Sequence, residues 1–123
     1  MVGTESLGRL DRIRKRADYQ RCYREGRRIH GALATLHVMP SSEGRCRLGI
    51  TATRKVGPAV VRQKLRRRTR EIFRRWPGRR ELPLADIVVH LRPASANATF
   101  SELETQLQGQ LRRFQKRVAV DWQ

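Results

Sequence analysis

The sequence is short of acid, of cysteine and of long apolar runs, and each shortage closes off a class of protein. Eleven Asp and Glu stand against twenty-eight Lys and Arg in 123 residues, a formal charge of +17. Even complete internal pairing would leave seventeen cations without a carboxylate. Such a surplus repels itself and calls for a polyanionic partner or heavy solvation. The two cysteines, Cys22 and Cys46, supply no disulfide framework; they read as free thiols of a reducing compartment, with no disulfide-linked partner. Together with His30 and His37 they fit none of the usual zinc spacings, so no metal site is expected. The best apolar run, 82–91, is broken by Pro83 and Asp86 and falls short of a membrane span. The opening MVGTESLGRLDR lacks the apolar segment of a signal peptide. A cytoplasmic protein is the expectation.

What is present suffices for a core: 38% of the residues are hydrophobic, so the chain is no disordered basic tail. Its length suits one domain, expected over 9–117, with a loose N-terminus at 1–8 and a tail at 118–123. RADYQRCYREG (16–26) reads as a short helix capped by Asp18 and stopped by Gly26, with Tyr19, Cys22 and Tyr23 on one face. ALATLHVM (32–39) and RCRLGITAT (45–53) alternate with period two. Turn residues PSSEG lie between them, which predicts an antiparallel hairpin with one apolar face and one face of arginines and hydroxyls. ADIVVHL (85–91) predicts a central strand. In TFSELETQLQGQLRRFQKRV (99–118), Thr99 and Glu102 form a capping-box pattern before a stripe of Phe100, Leu103, Leu107, Leu111, Phe114 and Val118. The order α-β-β-α-β-α predicts an α+β fold, a small mainly antiparallel sheet packed with helices.

The middle helix carries the anomaly. Residues 54–75 hold ten Lys or Arg and one acid, Glu71. Val61, Leu65, Thr69, Ile72, Phe73 and Trp76 fall on one arc, and cations occupy the rest. Favourable interaction with the helix dipole accounts for Arg112, Arg113, Lys116 and Arg117 at the end of the last helix. It does not account for Arg66, Arg70 and Arg74, a like-charge i, i+4 series that costs a few tenths of a kcal/mol per pair. Phosphate binding does account for it, because each contact releases condensed counterions. An anionic membrane surface is the rival partner, but it would strip the apolar stripe from the sheet. No helix-turn-helix, zinc finger or basic zipper appears, so RNA is preferred to DNA. Tyr19 and Tyr23 have two readings at this point, a platform for unstacked bases or plain core.

RLGITATRKVGPAVVRQKLRRRTREIFR (47–74) resembles the signature of the bacterial ribonuclease P protein component. That pattern is a strand ending Ser-Lys-Lys-Val-Gly-Asn-Ala-Val, then Arg-Asn-Arg, then a basic helix with Arg-Glu-x-Phe-Arg. ADYQRCYREGRR (17–28) is similar to the family's aromatic helix, and DIVVHLRPASANATFSELETQL (86–107) to its last strand, Arg-Pro turn and terminal helix.

The resemblance implies a ribosomal protein S5 domain 2-like fold with a left-handed βαβ crossover. It implies a protein subunit of the ribonucleoprotein endoribonuclease RNase P, with catalysis by an RNA subunit that holds Mg²⁺ and neither catalytic residues nor metal ligands in the protein. The implied contacts to the catalytic RNA are Arg54, Lys55, Arg62, Gln63, Lys64, Arg66, Arg67 and Arg70. Tyr19 and Tyr23 line the cleft for the 5′ leader of precursor tRNA, and His37 falls where another cleft aromatic is common. The motif here reads Arg-Gln-Lys: Gln63 sets the amide one methylene further out, and Lys64 keeps the charge without the bidentate fork. Pro58 replaces an Asn. The residues themselves supply no nuclease: His30, His37 and His90 sit on different elements, and no Asp/Glu cluster suggests two metals. An autonomous RNase and a ribosomal or RNA-chaperone protein of similar fold stand as the alternatives.

Overall fold

In a computed structural model, residues 11–118 are described, without the side chains of Arg80 and Val118. The ends expected to be loose, 1–8 and 118–123, lie outside this range apart from the backbone of Val118. Seven elements follow in order: α1 (Arg16–Glu25), β1 (Arg27–Ile29), β2 (Ala34–Pro40), β3 (Arg47–Ala52), α2 (Ala59–Arg75), β4 (Ala85–Leu91) and α3 (Phe100–Arg113). The last helix widens into a π-turn over Phe114–Val118.

The sheet runs β1-β2-β4-β3. β4 pairs antiparallel with β2 and parallel with β3, and β1 pairs antiparallel with β2. The predicted hairpin is therefore corrected: β2 and β3 are not neighbours, because β4 lies between them. β4, predicted central, is the most apolar strand, with six of its seven residues buried. Helices cover it on both faces, which accounts for its apolar side chains, with Asp86 the buried exception. β1 is a strand that the sequence pattern did not show, since three residues, Arg-Arg-Ile, carry no readable period. On the far side, residue 12 bridges Leu48 and the Ile13 N–H donates to the Leu48 carbonyl, so the N-terminal segment covers the β3 edge.

The two sheet faces have different covers. α2 and α3 pack on Leu36, Val38, Ile87, Val89 and Leu91, adding Leu65, Ile72, Phe73, Leu103, Leu107, Leu111 and Phe114 to one core cluster. Each such side chain contributes about 1.5–3 kcal/mol by leaving water. The predicted stripe on α2 is thus the buried one, Thr69 included: its hydroxyl donates to the Leu65 carbonyl at 2.8 Å. Thr99 and Glu102 make the predicted capping box at the start of α3. α1 lies on the opposite face, where Cys22, Ile13 and Val88 form a small second cluster flanked by Tyr19, Tyr23 and Met39. Asp18 is not its cap. The N-cap is Lys15, which offers no side-chain bond, and Asp18 sits in the first turn facing β3.

Candidate nucleic-acid interface

Residues between β3 and α2 are committed to a tight turn: the Val56 and Gly57 N–H groups donate to the carbonyls of Thr53 and Arg54. Gly57 takes φ +155°, a conformation that side chains rarely adopt, and a Cβ there would press on Val61 at 3.2 Å. The turn leaves Arg54 and Lys55 exposed and starts α2 at Pro58, whose missing N–H costs nothing at a helix start. Once Leu65, Thr69, Ile72 and Phe73 face the sheet, the intervening cations have to face outward.

Those cations are mostly without acids. Glu71 is taken by Arg74 at 2.6 Å and approached by Arg75 at 3.8 Å, and the Arg74 hydrogen bonds hold its carboxyl below the usual range. Among the described residues, no ion pair ties Arg54, Lys55, Arg62, Lys64, Arg66, Arg67 or Arg70 to a carboxylate. Arg62 donates only to the Gly57 carbonyl at 3.1 Å, and Arg66 reaches the Ala52 carbonyl at 3.5 Å. Gln63, Arg66, Arg67 and Arg70 line one shallow concavity. Partial burial, then the charges of Arg12 and Arg66, lower the pKa of Arg70, so like charges crowd there.

Arg70 is also where the cationic rail reaches the cleft, since it shares a groove with Tyr19, Arg12 and Arg14. Tyr19 lies flat against β3 because residue 49 is glycine; a Cβ there would stand 2.6 Å from the Tyr19 ring. The Tyr19 hydroxyl donates to the Ile13 carbonyl at 3.1 Å. Tyr23, one turn on, has its hydroxyl 2.5 Å from Thr51 Oγ1 and 3.2 Å from His90 Nδ1. Both tyrosines are half-buried, so each has one flank in the small cluster and one flank open. His37, located in the sequence only by counting from Gly26, brings its ring centroid within 4.6 Å of Tyr23. It is 8% exposed, its Nδ1 is buried without a partner, and burial followed by His90 pushes its pKa down to about 4. The ring is neutral at pH 7.

Two residues of this face escaped the sequence reading. His90 was one of three histidines on different elements, yet its centroid lies 6.4 Å from that of His37. Their strands are neighbours, and only the strand order reveals it. Arg47 lies on the predicted face of arginines and hydroxyls, but there it meets a buried carboxylate. Its guanidinium grips Asp86 in a bidentate pair, Nε to Oδ1 at 2.8 Å and Nη2 to Oδ2 at 2.7 Å, and Nη1 reaches Asp18 at 3.4 Å. Asp86 is wholly buried, with Arg21 at 3.8 Å. These groups tie α1 to β3 and β4 and commit Arg47 to structure. The Asp86 hydrogen bond is the main cause of the raised Arg47 pKa.

Among the described residues, no three His, Cys, Asp or Glu side chains gather as a metal-binding group. With Asp18 and Asp86 engaged by Arg47, the donor set does not suit a divalent cation. Both cysteines are free, and burial raises their pKa to about 11, which keeps the thiols protonated. No helix of the described residues is long and apolar enough to cross a membrane.

Comparisons with known proteins agree on one family. Residues 7–115 match the family model described as Ribonuclease P. The ribonuclease P protein component of Desulfovibrio desulfuricans is 38% identical over 112 residues, covering 87% of this chain and 85% of that one. The Brucella suis protein of the same description is 34% identical, covering 84% of this chain and 79% of its own. Among solved structures, the RNase P protein of Staphylococcus aureus superposes with a TM-score of 0.76 at 30% identity, over 83% of this chain and 93% of that one. The Thermotoga maritima RNase P protein gives 0.73 at 33% identity, over 83% and 96%.

Proposed function

The chain belongs to the ribonuclease P protein family; it is the protein subunit of a ribonucleoprotein endoribonuclease of tRNA processing, and we propose that its two surfaces divide the work. The α2 rail of Arg54, Lys55, Arg62, Gln63, Lys64, Arg66, Arg67 and Arg70 docks on phosphates of the catalytic RNA. The cleft of Tyr19, Tyr23 and His37 receives the single-stranded 5′ leader of precursor tRNA. The observation that carries this reading is the meeting of an acid-free cationic helix face with an open aromatic flank at Arg70 and Tyr19. Docking the rail on one RNA holds the cleft beside the other.

The energetics favour such a division. Phosphate contacts supply sequence-independent, salt-sensitive affinity by counterion release. Stacking adds roughly 1–3 kcal/mol per base, and only the precursor has a leader to stack. The gain therefore falls on substrate and not on product. Hydrolysis resides in the RNA subunit, which holds the Mg²⁺; the protein neutralises phosphates near it. The setting is the bacterial cytoplasm.

Two variants separate the halves. Arg66→Ala with Arg70→Ala should weaken assembly with the RNA subunit and reduce the slope of log affinity against log salt by about two contacts' worth. Tyr19→Ala should lower affinity for leader-bearing precursor and spare mature tRNA. An unchanged slope removes the docking half, and equal loss on both tRNAs removes the leader half.

A further inference from the structure

His90 occupies the middle of the cleft floor. On the α1 face of the sheet it stands between Thr35 of β2 and Thr51 of β3, half-exposed. Its Nδ1 is 2.9 Å from Thr51 Oγ1 and 3.2 Å from the Tyr23 hydroxyl, and the two hydroxyl oxygens are 2.5 Å apart. Two hydroxyl protons serve the two shortest contacts if Tyr23 donates to Thr51 and Thr51 donates to Nδ1. Nδ1 is then an acceptor, and a neutral ring carries its proton on Nε2. Burial, then Arg92, lowers the His90 pKa, which favours that neutral form.

Among the described residues nothing bonds Nε2, and it is not among the buried polar atoms lacking partners, so it meets solvent. The His90 ring is nearly perpendicular to Tyr23 and to His37, at 85° and 84°. His37 is buried, so of these two rings a base can lie flat only on Tyr23, and its plane is then nearly perpendicular to the His90 ring. The cleft thus combines aromatic faces with one fixed donor.

We propose that His90 is a specificity-determining residue, its Nε2–H donating to an acceptor atom on the edge of one leader nucleobase while the Tyr23–Thr51 hydroxyl pair fixes the tautomer. This rests on the leader-cleft reading above and adds a base preference to it. Discrimination follows because bases differ in where their acceptors lie, and a base that offers an amino donor there leaves both groups unpaired.

The test uses the reconstituted holoenzyme and precursor tRNAs carrying each of the four bases at each leader position in turn. Wild type should prefer some bases at one position by about three- to tenfold, the scale of one neutral hydrogen bond. His90→Leu should even out that position alone. His90→Gln, whose amide nitrogen reaches the place of Nε2, should retain part of the preference, which loss of folding would not produce. The proposal is overturned if His90→Leu keeps the wild-type profile, or if wild type shows no preference although the leader adds affinity. Should Tyr19→Ala cost precursor and mature tRNA equally, the leader cleft itself falls, and the base contact with it.

Discussion

His37 owes its charge state to its place on the sheet. Its imidazole sits between Tyr23 and His90 with Arg28 directly opposite on β1, and His30 adds to the positive field. Burial is the largest cause of a pKa near 4, against 6.5 in an unfolded chain. Between those values the unfolded chain takes up a proton that the folded one refuses, so unfolding gains as pH falls. The stabilisation is complete above about 6.5 and erodes toward about 4. The urea midpoint of the free protein should therefore drop more steeply between pH 7 and pH 4.5 in wild type than in His37→Leu; parallel curves would mean that His37 is not held neutral. Its neighbourhood with Tyr23 was legible only as an offset from Gly26, whereas the partner of Arg47 was not legible. Period-two parity assigns an arginine to a face, but it does not say whether that face offers water or a buried carboxylate. The answer for Arg47 is Asp86, thirty-nine residues away.

At the level of elements, α2 and α3 were legible because their signals are local: an apolar arc, a Pro-Gly stop after α2 and a capping box at the start of α3. The sheet was legible in its strands and not in its pairing. PSSEG reads as a hairpin turn, yet β3 is drawn into parallel pairing with β4, a partner that arrives only after α2. Strand order is a long-range property, and with it went the cleft floor, since the row Thr35–His90–Thr51 exists only when β4 lies between β2 and β3. The packing of α1 on β3 supplies a test of the cleft that leaves the α2 cations untouched. A methyl group at residue 49 would sit 2.6 Å from Tyr19 Cε1 and 2.9 Å from Cζ, closer than packed atoms come. Gly49→Ala should lift the Tyr19 ring, cost about 1–3 kcal/mol of stability as overpacking does, and abolish most of the leader-dependent gain in precursor binding. The salt slope of assembly with the RNA subunit should stay at its wild-type value. A leader-dependent gain that survives the added methyl would mean that Tyr19 does not set the cleft.

For the molecule as a whole, the surplus of +17 leaves cations well in excess of the carboxylates that could pair with them. Four carboxylates are committed to structure: Asp86 and Asp18 anchor α1 through Arg47, Glu71 is taken by Arg74, and Glu102 caps α3. The outward cations of α2 and the aromatic surface on the other face of the sheet meet at Arg70 and Tyr19. Hydrolysis of a phosphodiester needs a positioned nucleophile, a group to take its proton and stabilisation of the developing charge. The described surface supplies only the last in quantity. Asp18, Asp86, Glu71 and Glu102 are engaged in structure, and His37 is neutral with its Nδ1 shut off from solvent. Precursor tRNA incubated with the protein alone in Mg²⁺ should remain intact over the time in which the reconstituted particle processes it fully. Adding the RNA subunit to the same tube should start cleavage at the mature 5′ end, and the proposed docking of the rail on phosphates predicts a rate that falls with rising salt. Cleavage at that site by highly purified protein, free of RNA and abolished by Arg66→Ala with Arg70→Ala, would relocate the chemistry to the protein and end the division proposed for its two surfaces.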